Sequence, residues 1–268
     1  MITIYSIPLI AVLLGYVLAV VIKPANRRNI KLLLAFSGSF LLTLTVTHLL
    51  PEIYYHEIKK TIQITDHHAA HSETVSQEAH IHTESAVQHT ADEHDHHDHG
   101  SMKKIGLFLM LGIVFQILLE FFSKGAEHGH VHVHEKFKKI PWALFLSLCL
   151  HALLEGMPLS HHHNLAYGIA IHHFPIAIIL TLFFLQAEMA KKAIFFFMIC
   201  FAFMTPLGTF ASQHLSFLSD YYTEISAVVV GILFHISSTI IFESSEGHKF
   251  NLAKLIAIIT GIVLAYFI

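Results

Sequence analysis

The feature that most limits the fold is a succession of apolar runs, each near twenty residues long. A helix of that length spans the roughly 30 Å hydrocarbon core of a bilayer. Eight such runs are present, at about 4–22, 31–53, 104–123, 140–160, 165–189, 193–213, 224–243 and 250–268. Only 13% of the chain is charged, whereas a soluble domain carries about a quarter. The chain therefore reads as all-α: a polytopic membrane protein of eight transmembrane helices, with no soluble domain left over. The first run lacks a basic leader and a small-residue cleavage site, so it reads as the first span rather than a signal peptide.

Three regions follow. Residues 1–56 hold spans 1 and 2. Residues 57–103 form a polar stretch rich in His, Asp, Glu, Ser and Thr, without apolar periodicity, and read as a flexible or disordered loop. Residues 104–268 hold spans 3–8, with a second histidine-rich loop at 124–139. Orientation comes from Lys and Arg, which favour the cytoplasmic side. Lys23, Arg27, Arg28 and Lys31 join spans 1 and 2. Lys124, Lys136, Lys138 and Lys139 join spans 3 and 4. Lys191 and Lys192 join spans 5 and 6, and Lys249 and Lys254 join spans 7 and 8. Twelve of the 16 basic residues thus share one side. Both termini are expected on the other, non-cytoplasmic side, together with 57–103. The membrane is expected to be a bacterial inner membrane or a plasma membrane. The two cysteines, Cys149 and Cys200, lie in apolar runs and read as small hydrophobes rather than a disulfide framework.

Inside this apolar frame a few polar residues stand out. His151 and Glu155 are four apart in span 4 and share one helix face. A carboxylate is costly in lipid, so Glu155 should face the bundle interior with a partner. The turn between spans 4 and 5 centres near residue 162. Folding the hairpin there brings His172 to the depth of His151 and Glu155. Two imidazoles and a carboxylate suit a divalent transition metal such as Zn²⁺. His173 is the candidate for a fourth ligand, although on an ideal helix it points about 100° away from His172. Pro158 and Pro175 remove backbone hydrogen bonds nearby, and broken backbone at depth is tolerated where it lines a cavity.

Span 2 ends with a second pair four apart, His48 and Glu52, extended by His56. With His161, His162 and His163 at the outer turn of the span 4–5 hairpin, this pair forms a candidate approach route for metal. His235 in span 7, with Glu243 two turns on, is a candidate supporting pair. Two tracts lie outside the spans. The 57–103 stretch contains ten histidines among carboxylates, and His128, His130, His132 and His134 alternate in the cytoplasmic loop. Neutral imidazoles in such tracts bind Zn²⁺, Ni²⁺ or Cu²⁺ loosely. The outer tract would capture metal and the inner one receive it.

With these residues in view, the sequence resembles the ZIP (Zrt/Irt-like) family of divalent metal transporters over essentially its whole length. His151–Gly156 ("HALLEG") matches the family's H-x-x-x-E-G. "HHFP" at 172–175 resembles H-N-x-P-E-G, and "HLLPE" closes span 2. The resemblance implies a metal site at His151, Glu155 and His172, uptake toward the cytoplasm by an elevator-like movement of one bundle against another, and often a dimer. Three positions depart from the family. Ile176 stands where a bridging glutamate is expected, Ala152 follows the span 4 histidine, and Thr205 precedes the span 6 proline. A second metal site is therefore expected to be weak or absent.

The resulting expectation is a zinc transporter with one site and no enzymatic activity. Its partners are a divalent metal ion and the lipid bilayer, with a homodimer in view and no nucleic acid. Zn²⁺ is the transported substrate rather than a resident cofactor, and other divalent transition metals remain open. Binding should weaken below about pH 6.5, because ligating imidazoles must be neutral. The rivals are an intramembrane zinc-dependent hydrolase, which would need a further acid or base beside the metal, and a membrane metal sensor that does not transport.

Overall fold

A computed structural model describes residues 2–22, 27–72, 96–123, 142–160, 163–243 and 252–268. Among these residues the chain is helical almost throughout, with no strand. The helices are α1 (Ile2–Ile22), α2 (Arg27–Leu44), α3 (Leu50–Ser72), α4 (His96–Ser123), α5 (Trp142–Gly156), α6 (His163–Gln186), α7 (Lys191–His214), a short α8 (Ser216–Asp220), α9 (Tyr222–Glu243) and α10 (Leu252–Tyr266). Six stretches are long and apolar enough to cross a membrane: Thr3–Val21, Asn29–Lys60, Met102–Phe122, Leu165–Gln186, Lys191–His214 and Tyr222–Phe242. They mark an integral membrane protein. The other two expected spans fall on α5 and α10, which are apolar but only 15 residues each. α4 leaves Leu107, Leu111, Val114 and Phe121 exposed, which suits a helix surrounded by lipid.

Two helices run past the expected boundaries. α3 continues to Ser72 and α4 begins at His96, so residues 57–72 and 96–103 are helical where a loop was expected. The cause is propagation. A helix already nucleated in the membrane adds residues cheaply, and no Pro or Gly interrupts 52–72. Residues 73–95 lie outside the described residues, as do 124–141, with His128, His130, His132 and His134, and His161 and His162.

Proline acts unevenly along the chain. α6 passes through Pro175, and α7 through Pro206, without a break. The broken backbone expected beside the site is therefore confined to the end of α5. There Pro158 lacks an N–H for the Leu154 carbonyl, the Met157 N–H takes that carbonyl instead at 3.1 Å, and Pro158–Ser160 form a 3₁₀ turn. At Pro51 the adjustment is a π-helical turn, Thr45–Leu49, joining α2 to α3. The Leu50 N–H reaches the Thr45 carbonyl five residues back, just ahead of the proline that leaves the Thr47 carbonyl without its α-helical donor.

The helices pack in two groups. α1, α5, α6 and α7 share an apolar cluster around Val12, Leu148, Ala177, Phe184, Phe197 and Phe201. α2, α3, α4, α9 and α10 share another around Phe40, Leu44, Ile53, Ile105, Val230 and Ala265, which also takes in Leu165 and Ile169 at the start of α6. α2 runs along the seam, touching α9 and α10 on one side and α6 on the other. In lipid, apolar burial alone gives helices little reason to associate, so close backbone contact matters more. A Cβ on Gly156 of α5 would overlap the Thr205 carbonyl of α7, and one on Gly208 of α7 would overlap the Leu153 carbonyl. α5 and α7 therefore touch backbone to backbone. The Thr209 hydroxyl donates across the contact to the Gly156 carbonyl at 2.8 Å, sharing its hydrogen with the Thr205 carbonyl of its own helix at 3.1 Å. This clamp sits one residue beyond Glu155 and fixes the depth of the site.

Candidate metal centre

The face of α5 that carries His151 and Glu155 is turned to α6. Glu155 is 1% exposed, and His151, His172 and His173 are all buried. His151, Glu155 and His172 each offer one ligand atom, and these atoms lie within 4.8 Å of one another. Among the described residues this is the only group of three or more potential ligands. His151 Nε2 stands 3.4 Å from Glu155 Oε2. Two ligands on a tetrahedral Zn²⁺ with bonds of about 2.0–2.2 Å stand roughly 3.4 Å apart, so this edge already has the right length.

His173 is closer to the carboxylate than the helical wheel implies. Its Nε2–H donates to Glu155 Oε2 at 2.9 Å, the shortest contact in the cluster. The adjacent rings of His172 and His173 lie 5.8 Å apart with planes tilted by 41°, so both reach the α5 face. Phe201 of α7 backs His173 with ring centroids 5.8 Å apart. Polar atoms are left over here, Glu155 Oε1 and His173 Nδ1 among them, buried and without a hydrogen bond among the described residues. Each such orphan costs about 1–3 kcal/mol, and more for a charged group. The donor set fits a borderline divalent cation: imidazole nitrogens and a carboxylate, with no thiolate.

The sequence-based candidates elsewhere fare differently. His48 lies in the π-helical turn, and its Nε2–H donates to the Ala265 carbonyl of α10 at 3.2 Å. His56 Nδ1 is 3.2 Å from Thr223 Oγ1, and its ring packs on Tyr222 at 5.2 Å. This row thus faces α9 and α10. Glu52 sits in the first turn of α3, His163 opens α6, and Glu243 closes α9. His235 meets Glu120 of α4, with Nε2 3.1 Å from Oε2, so its observed partner lies on a different helix from the metal cluster.

No known protein-family model matches this chain, and no curated protein matches it.

Two relevant residues escape a reading of the spans alone. Glu120 is a carboxylate within the apolar run of α4, and its signal was its mere presence in "ILLEFF". Ser37 of α2 is fully buried with Oγ 3.0 Å from His172 Nδ1. Its signal is fainter, since serines are ordinary in membrane helices and nothing local names the partner.

Proposed function

We propose that the protein is a divalent metal transporter, most simply a zinc transporter, that moves metal into the cytoplasm by alternating access. One observation carries the reading: His151, Glu155 and His172 converge from two helices, buried, within 4.8 Å, inside an apolar bundle. The resemblance of "HALLEG" and "HHFP" to the ZIP family supports it. In this reading α5 and α10 also span the bilayer, giving eight spans with both termini outside.

Zn²⁺ approaches by His48 and Glu52 and is held by His151, Glu155 and His172. His173 contributes either as a fourth ligand, once its Nε2 gives up the proton now shared with Glu155, or as a donor to that carboxylate. Ile176 offers no ligand, so one site operates. The four residues are at most 7% exposed, which supports a mechanism in which metal exchange needs helix movement. The two packing groups supply natural moving parts, because the site lies wholly on α5 and α6 of the first group. Metal released inward meets the histidine tract at 128–134.

The decisive experiment is Zn²⁺ flux into proteoliposomes holding the purified full-length chain. The expected result is saturable uptake that Glu155→Ala and His151→Ala abolish while the protein remains in the membrane. Normal uptake by both variants refutes the site. Absence of flux with retained metal binding favours a sensor, and cleavage of a lipid or peptide favours a hydrolase.

A further inference from the structure

The serine and threonine hydroxyls between residues 37 and 47, on α2 and the π-helical turn, behave alike with one exception. Ser39 Oγ donates to the Phe36 carbonyl at 3.0 Å, Thr43 to Ser39 at 2.9 Å, Thr45 to Leu41 at 2.8 Å and Thr47 to Thr43 at 2.7 Å. Each bonds back to its own helix, the usual resting place of a hydroxyl in a membrane helix. Ser37 instead meets His172 Nδ1 across the helix boundary, at 3.0 Å. It is fully buried, and so is His172 at 2%. Its backbone is also fixed. Gly38, the next residue, lies against Ile240 of α9, and Gly261 of α10 lies against Ser39 and Phe36. The hydroxyl is thus held on a helix wedged between two others.

We propose that Ser37 is a positioning residue for metal binding, holding the His172 ring by Nδ1 so that Nε2 is the nitrogen presented as a ligand. The inference rests on the transport reading above. When Nδ1–H donates to Ser37 Oγ, the Nε2 lone pair is left for the metal. In the other tautomer Nε2 carries the hydrogen and cannot ligate. The partner of a ligating imidazole sets its tautomer and ring orientation, and losing such a partner typically costs 10–100-fold in metal affinity. Ser37 has a further property. It belongs to the group of α2, α9 and α10, whereas His172 belongs to α6, which packs mainly on α1. The bond crosses the seam, and it fails once its length exceeds about 3.5 Å. A slide of α2 past α6 by much less than one helical turn would therefore release His172 and lower the readiness of the site.

Initial rates of Zn²⁺ uptake against free Zn²⁺, in proteoliposomes of the full-length chain, test this. Transport kinetics are the right readout because the histidine-rich tracts bind metal without moving it. Ser37→Ala should raise KM about tenfold or more with Vmax per protein within about twofold. Ser37→Thr, which keeps the hydroxyl, should return KM to within about threefold of the parent. An unchanged KM for Ser37→Ala, a loss confined to Vmax, or a Ser37→Thr variant no better than Ser37→Ala each overturns the proposal. Glu155→Ala, run alongside, keeps the two claims apart. Its normal uptake, together with that of His151→Ala, would refute the metal site itself, whereas its loss beside a normal Ser37→Ala would refute only the role of Ser37.

Discussion

Two histidine–glutamate steps occur in this chain, and their sequences are nearly equivalent. His48 and Glu52 are four apart at the end of the second apolar run, and His151 and Glu155 are four apart in the fourth. In the structure they part company. Glu155 meets His151 at 3.4 Å and His173 at 2.9 Å, with His172 close by and one carboxylate oxygen left over. His48 spends its Nε2–H on a backbone carbonyl of α10. Its pair also straddles the π-helical turn before Pro51, where residues four apart no longer stack as on a regular helix. Spacing selects a face, and the helix opposite that face decides the chemistry. α6 offers two histidines to α5, whereas α10 offers only its own backbone to His48.

The largest effect expected from this contrast is at Glu155. Glu155→Ala removes the only carboxylate in the cluster, with its contacts to His151 at 3.4 Å and His173 at 2.9 Å. Zn²⁺ uptake should fall by about 100-fold or more, counted per molecule in the membrane. Glu155→Gln keeps the shape but not the charge and should fall nearly as far, because a neutral amide is a poor ligand for a hard-to-borderline cation. Retention of half the activity by either variant would erase the distinction between the two steps.

The next effect concerns what positions the cluster rather than what binds. Gly156→Leu or Gly208→Leu forces α5 and α7 apart at their backbone contact. Overpacking of this kind costs about 1–3 kcal/mol and here also moves Glu155. A drop in the thermal midpoint in detergent, with loss of uptake, is expected. Gly106 of α4 supplies the control: a Cβ there meets nothing, so Gly106→Ala should stabilise slightly, by about 0.5–1 kcal/mol. Equal behaviour of the two sites would mean that the α5–α7 clamp is not what sets the depth of the centre.

His173→Ala comes third. The histidine sits 2.9 Å from Glu155 but outside the three-ligand group, so its loss should lower uptake about tenfold, less than loss of Glu155. An effect equal to that of Glu155→Ala would promote His173 to an obligatory ligand. An effect below about twofold would reduce it to packing against Phe201.

How far the sequence reached is itself explained by geometry. The meeting of His151, Glu155 and His172 was legible because helix rise is constant and a short hairpin has one centre, so depth follows from counting. Ring direction does not follow from counting. His173, about 100° from its neighbour on an ideal wheel, still reaches Glu155 because its side chain swings toward α5. Ser37 and Glu120 were illegible for another reason. Each meets its partner more than 100 residues away, and which helices become neighbours depends on small-residue contacts such as those of Gly38, Gly112 and Gly231. The polarity of 57–72 suggests a loop, yet α3 extends to Ser72, because helix propagation depends on backbone freedom more than on polarity.

The smallest expected effect is the most exacting test of the contrast. The Nε2–H of His48 donates to the Ala265 carbonyl, so its imidazole ties the π-helical turn to α10, and the proposed function adds a place on the approach route. His48→Gln can keep the tie, since an amide N–H reaches about as far, but it cannot serve metal as an imidazole does. His48→Ala removes both and leaves the carbonyl unserved, at a cost of about 1 kcal/mol. If the outer step is only a transient stop, His48→Gln should raise KM for Zn²⁺ by no more than about threefold, and His48→Ala should add a small loss of thermal stability. A tenfold or greater rise in KM with His48→Gln, at unchanged stability, would make the outer histidine a binding site in its own right. The two steps would then differ in depth and neighbours but not in role.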